Sequence, residues 1–281
     1  MHDAIRNIRP VAKLVRGMPA SDGDGVKLTR IIGGPALDGL DPFLLLDEIR
    51  SDEGADYIGG FPEHPHRGFE TVTYVLAGRM RHGDNKGNSG LLTPGSVQWM
   101  TAGRGILHSE MPEQEGGLMW GFQLWVNLPA VNKMMPPRYQ DIDPARVPEV
   151  TLAGGVKVRV LAGTLGDTKG AVEDIVTEPT LLDIALPAGG EIVLPVPPTH
   201  NAFAYVFEGN IAIGEQDARV VRGQIAVLGA GDAVKLAGGP GRVLFAAGKP
   251  LNEPVARYGP FVMNTPDEIR QAIADYQSGR F

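Results

Sequence analysis

A chain of 281 residues, 43% hydrophobic and 21% charged, has the balance of a globular protein and room for one large or two ordinary domains. A net charge of -7, with Lys and Arg scattered along the chain, argues against direct nucleic-acid binding. Cys is absent, so disulfides and thiolate ligands are excluded and any metal must be held by imidazole and carboxylate.

Taken in chain order, MHDAIRNIRPVAKL has no apolar signal region, and no run approaches the ~18 apolar residues of a membrane span. A soluble cytoplasmic monomer without membrane attachment is expected. Gly 38 and Pro 23 together make up about a fifth of the chain, a density of turn formers that favours many short strands. VKLTRIIGG alternates loosely and ends in a Gly-Gly turn, and DPFLLLDEI is an apolar run between acidic turn residues. ETVTYVLAG is β-branched and stops at Gly78, and LLTPGSVQWMTAG reads as two strands around a Pro-Gly turn. In LMWGFQLWVNLP, Trp120, Phe122, Leu124 and Val126 form a period-2 apolar face. NLPAVNKMMPPRYQDIDPARVPEV carries five prolines in 24 residues and reads as a joint, giving domains 1–143 and 144–281.

The second half is again strand-like, in VKVRVLAG and TLLDIALPAGGEIVLP. AFAYVFEG (residues 202–209) then repeats TVTYVLAG (residues 71–78), with Tyr74, Val75 and Gly78 matching Tyr205, Val206 and Gly209 at a constant offset of 131. Further on, LTPGSVQWM matches LGAGDAVKL at an offset of 136. Two copies of one β unit in tandem are predicted. The tail NTPDEIRQAIADYQSGRF reads as a helix. Thr265 and Glu268 form a capping box, Pro266 suits the first turn, Gly279 stops it, and Ile269, Ala272, Ile273 and Tyr276 form the buried stripe.

Chemistry concentrates in two short pieces, EHPHRGFETVTYVLAG and GRGILHSEMPE. Of the 6 His, three lie there: His64 and His66 at i, i+2, and His108 two residues before Glu110. On a strand, i and i+2 share a face, so two adjacent strands could bring three imidazoles and one carboxylate to one point. Such a set suits a divalent first-row metal. His2 and His82 lie outside the pattern and are expected at the surface, and His200 is a turn residue of structural role. Glu70 is a rival carboxylate, but on an extended strand it lies about 13 Å from His66 and could reach a metal only through a bend at Gly68. Phe69, Trp99, Phe122 and Trp125 could line an apolar pocket, with barrel core as the bland reading of all four.

The pieces DPFLLLDE, FPEHPHRGFETVTYVLAG, VQWMTAGRGILHSEMP, LWVNLP and RYGPFVMNTPDEI resemble the pirin family, and the resemblance spans nearly the whole chain. It implies an all-β fold of two tandem cupin barrels (double-stranded β-helix, jelly-roll-like) with a short C-terminal helix. It also implies iron in the N-terminal barrel, on residues that fall at His64, His66, His108 and Glu110. The same pattern favours Glu110 over Glu70, and Glu110 is a possible base. Fe(II) is the expected ion, with Mn, Ni, Cu or Zn as competitors. Carried by the offsets, the four positions fall on Pro195, Pro197, Leu244 and Ala246, so the second barrel is expected to be metal-free and structural. The family is associated with quercetin 2,3-dioxygenase activity, which implies a flavonol-like planar aromatic substrate and O2. Its eukaryotic members are associated with transcriptional co-regulation, which implies instead an iron-containing regulatory protein with a redox-dependent protein partner.

Overall fold

The computed structural model describes residues 7–281. Among them the chain is all-β except for short 3-10 turns and one α-helix, Pro266–Gln277. No described helix is long and apolar enough to cross a membrane. The chain forms two compact units: Met18–Arg146 with Leu251–Phe281, and Val147–Pro250 with the described residues up to Gly17.

The first unit is a barrel of two sheets. Seven strands run in the order Arg138–Ile142, Val97–Thr101, Phe69–Ala77, Met119–Asn127, Phe43–Ser51, Val26–Ile32 and Met18–Asp22. Four more run Phe61–His66, Ile106–Pro112, Met80–Asp84 and Ser89–Leu92. All pairings are antiparallel, so side chains alternate between two faces and cross-strand partners share one. Val26, Leu28, Ile49, Val75, Met80 and Met119 are buried together between the sheets. In the second unit, one nine-stranded sheet is folded around the 13-residue strand Asn201–Ile213 and the 16-residue strand Ala233–Gly248. Its interior is aliphatic, with Val158, Leu182, Ile184, Leu194, Val206 and Val234 among the buried side chains.

The structure redraws three expectations. The proline-rich joint contains a strand of the first barrel, Arg138–Ile142, paired with Val97–Thr101, and the chain divides at Arg146/Val147. The C-terminal tail, assigned by sequence to the second domain, belongs to the first unit, while Val11–Arg16 pairs with Gln224–Leu228 of the second. In the helix, the Thr265–Glu268 capping box forms, but Tyr276 is 41% exposed and only Ile269 and Ala272 are buried.

The repeat is real at Tyr74 and Tyr205. Tyr74 pairs with Val97 and Phe122, and Tyr205 with Ile225 and Leu244. The offset of 136 does not survive, because Leu244 stands on the rung of Phe122, not of His108. Two strands of the first barrel, Ile106–Pro112 and Met119–Asn127, are fused in the second into Ala233–Gly248. Register therefore sets Pro195 opposite Ala233 where His64 faces His108, and Ile192 opposite Leu236 where Phe61 faces Glu110. Pro195, Ala233 and Leu236 offer no ligand atom.

Candidate metal centre

His64 and His66 end the strand Phe61–His66, which pairs with Ile106–Pro112 so that His64 lies opposite His108. Alternation and this register bring the three imidazoles together. One nitrogen from each lies within 4.8 Å of the others. His64 Nε2 and His66 Nε2 are 3.0 Å apart, and the ring of His108 is 4.4 Å from that of His64 and 4.9 Å from that of His66. His64 Nδ1 lies 2.8 Å from the carbonyl of Pro62, which suits an Nδ1–H donor and leaves the Nε2 lone pair facing the cluster.

Burial, and then the neighbouring histidines, hold His66 and His108 well below the usual imidazole range, so both are neutral at pH 7. Both ring nitrogens of His108 are buried without a hydrogen-bond partner. A buried unpaired polar atom is costly, and three imidazoles aimed at one point are the donor set of a metal ion. The residues fit such an ion on this ground.

Glu110 follows on the same strand, 4% exposed, across from His82 on one side and Phe61 on the other. Its Oε1 accepts from Thr73 Oγ1 at 2.8 Å and its Oε2 from Gln123 Nε2 at 3.2 Å. The register shifts between His108 and Glu110, and the close three-residue grouping comprises the imidazoles alone. Glu110 nevertheless lines the same cavity as His64 and His66. Glu70 is elsewhere. It is fully buried and three residues from Thr73, hence on the opposite face of its strand. Its Oε1 accepts from Thr101 Oγ1 at 2.6 Å, and burial pushes its carboxyl above the usual range despite that bond.

The cavity measures about 800 Å³ and lies between the two sheets. Leu28, Leu45, Ile49, Val75, Met80 and Met119 supply its apolar wall. Phe69 and Trp125 pack edge-on against His66, at 5.0 and 5.3 Å between ring centroids. Trp99 and Phe122 are buried, and Trp99 pairs with Val72 on the Glu70 face of the sheet. The four aromatics thus divide: Phe122 and Trp125 line the cavity, Phe69 packs on His66, and Trp99 does neither. At the mouth, Arg30 holds Asp47 through two hydrogen bonds of 3.0 and 2.7 Å and also reaches Asp22.

Sequence reasoning missed the groups around the ligands. His82, expected at the surface, is 1% exposed. Its Nε2 lies 2.9 Å from Asp141, whose other oxygen accepts from Gln98 Nε2, and its ring stacks on Tyr139. Gly90 opposite it makes the room, since a Cβ there would come within 2.4 Å of His82 Nε2. Thr73 and Gln123 were legible only as polar residues inside apolar strands. His200 is half-buried and its carbonyl accepts from Arg9, a structural role. His2 lies outside the described residues.

Two antiparallel β-barrels in tandem, one with an interior histidine cluster compatible with a metal, define a bicupin. A family model described as Pirin matches residues 25–126, and one described as Pirin C-terminal cupin domain matches residues 181–281. A protein of Pseudomonas aeruginosa named "Putative quercetin 2,3-dioxygenase PA3240" is 54% identical over 277 residues, covering 96% of this chain and 97% of its own length. Pirin of Homo sapiens is 45% identical over 267 residues, covering 92% and 89%. The crystal structure of a quercetin 2,3-dioxygenase from Acinetobacter baumannii superposes with a TM-score of 0.89 at 36% identity, covering 98% of each chain. The chain belongs to the pirin family.

Proposed function

We propose that this chain is a metal-dependent dioxygenase that opens the ring of flavonol-like substrates with O2, its metal held by His64, His66, His108 and Glu110. The observation that carries the reading is the cluster of three imidazoles within 4.8 Å, of which His64 and His66 line a cavity of about 800 Å³. That volume falls in the range of small-molecule sites, roughly 300–1,000 Å³. The names borne by the relatives from P. aeruginosa and A. baumannii support the same reaction class.

A divalent metal, Fe(II) foremost with Mn, Ni, Cu or Zn as competitors, would supply open positions for a chelating enol and Lewis-acid or redox chemistry toward dioxygen. The chain's own side chains do the rest. The apolar wall takes up a planar aromatic body and excludes water from the reacting ring. Trp125 and Phe69 fix the plane of His66. Thr73 and Gln123 each donate to one oxygen of Glu110, which orients the carboxylate beside the histidines. A carboxylate so placed can accept the proton of a substrate hydroxyl.

Oxygen consumption by iron-loaded protein over a panel of flavonols tests the proposal, with His108→Ala as control. Turnover by the wild type, lost in the variant, is expected. Equal consumption by both proteins, or none with any flavonol, overturns it.

A further inference from the structure

One cation at the cavity mouth is unaccounted for. Arg30 is committed to Asp47 and Asp22. Arg257, which also lines the cavity, has no ion pair among the described residues, and the one hydrogen bond its guanidinium makes is 3.4 Å long, to the carbonyl of Leu44. Its guanidinium lies over the ring of Trp125 at 4.9 Å, and Trp125 in turn touches His66. Burial against that ring, and the nearby Arg30 charge, hold its pKa below the usual guanidinium value. Arginine keeps its proton, so the charge stays available to an anionic ligand. The other side of Arg257 is open to solvent, and from there a ligand can reach it. The acidic groups nearby do not pair with it: Asp38, the acid that acts on it most strongly, is exposed and forms no ion pair with it, Asp22 and Asp47 are bound to Arg30, and Asp24 and Glu63 stand on the exposed outer rim.

We infer that Arg257 is a specificity determinant, and that the substrate is a planar aromatic chelator carrying a second, acidic group at the end away from the metal. The two ring contacts through Trp125 place the guanidinium within about 10 Å of the His66 ring. A fused bicyclic or tricyclic aromatic with its chelating oxygens at the histidines spans that gap. Its acidic group, a carboxylate or an ionised phenol, then meets a planar fork of donors held over an indole. The inference rests on the flavonol reading above and narrows its substrate class.

The test uses metal-loaded protein and two probes, 3-hydroxyflavone and 3-hydroxyflavone bearing a sulfonate on its distal ring. Binding is followed by quenching of tryptophan fluorescence. The wild type is expected to prefer the sulfonated probe, and the preference should shrink as salt rises. Arg257→Gln should weaken sulfonate binding by about five- to tenfold, between an exposed ion pair and a buried charge-assisted hydrogen bond, and change 3-hydroxyflavone less than about twofold. Arg257→Lys should restore part of the loss. Equal affinity of the wild type for both probes, or an equal loss of both in Arg257→Gln, overturns the inference and leaves the flavonol site standing. Failure of 3-hydroxyflavone to bind the wild type, or its undiminished binding in His108→Ala, overturns the flavonol reading itself, and the inference with it; failure of the sulfonated probe alone overturns only the inference.

Discussion

At the scale of single residues, the site is governed by which protonation states burial allows. His66 and His108 are held below the usual imidazole value of 6.5 by burial. The unfolded chain therefore binds protons below about pH 6.5 that the folded chain refuses, and stability falls as pH drops through that value. The same protons compete with a metal for the lone pairs. Metal-loaded protein should release its ion, and its Tm should fall, between about pH 6.5 and 5. A chelating dye and a thermal scan over that range check it, and a flat Tm with metal retained at pH 5 would contradict it. The two carboxylates make a second residue-scale prediction. Glu110→Gln should lower metal affinity by about tenfold or more, because it removes the one anionic member of the proposed ligand set and disturbs a carboxylate held by Thr73 and Gln123. Glu70→Gln should keep the metal, since Glu70 points to the other face. Metal retention after dialysis of both variants decides it, and loss from Glu70→Gln alone would reverse the assignment.

At the scale of elements, buried clamps join the turn that follows His66 to the tail. Lys133, 1% exposed, donates to the carbonyls of Gly68 and Val262 and to Asn127 Oδ1, at 2.8, 3.0 and 2.7 Å. Gly68 has a positive φ of 90°, and a Cβ there would sit 1.9 Å from the Val262 carbonyl, so only glycine fits the turn that follows His66. Arg67 beside it reaches Asp275 of the helix at 2.8 Å. Lys133→Met would leave three buried acceptors unpaired and should destabilise the protein by about 2–4 kcal/mol, read from urea unfolding. Burial also pushes the Lys133 pKa down to about 8. Above that pH the folded chain sheds a proton that the unfolded chain keeps, so stability should rise between about pH 8 and 10 in the wild type and not in Lys133→Met.

At the scale of the whole chain, the two barrels divide labour. One keeps a cavity with convergent imidazoles. The other has a largely aliphatic core and carries Pro195, Ala233 and Leu236 on the corresponding rungs. About one metal per chain is therefore expected, measured by elemental analysis of protein purified after iron supplementation. Two per chain, or none, would be inconsistent with this division. His66→Ala and His108→Ala should lose the metal yet stay folded, because the barrel's apolar burial does not depend on it. Loss of the folded far-UV spectrum in these variants would make the metal structural.

The sequence by itself determined the strand content, the capped helix and the i, i+2 pairs, because these depend on neighbours one to four residues apart. It determined the repeat at Tyr74 and Tyr205 for the same reason, since a strand's alternation is written locally. Only the tertiary structure decided what depends on register and on distant partners. The fusion of two strands into Ala233–Gly248 displaced the later half of the repeat, which no offset in sequence could show. His82 looked like a surface residue until the fold brought Asp141, 59 positions away, within 2.9 Å of it. That Glu70 lies on the face away from Thr73 was decided only when pairing put Thr73 beside Glu110 and so fixed the parity of the whole strand. The tail joined the first barrel through Arg67, Lys133 and Gly68, residues whose long-range partners leave no mark on the residues next to them.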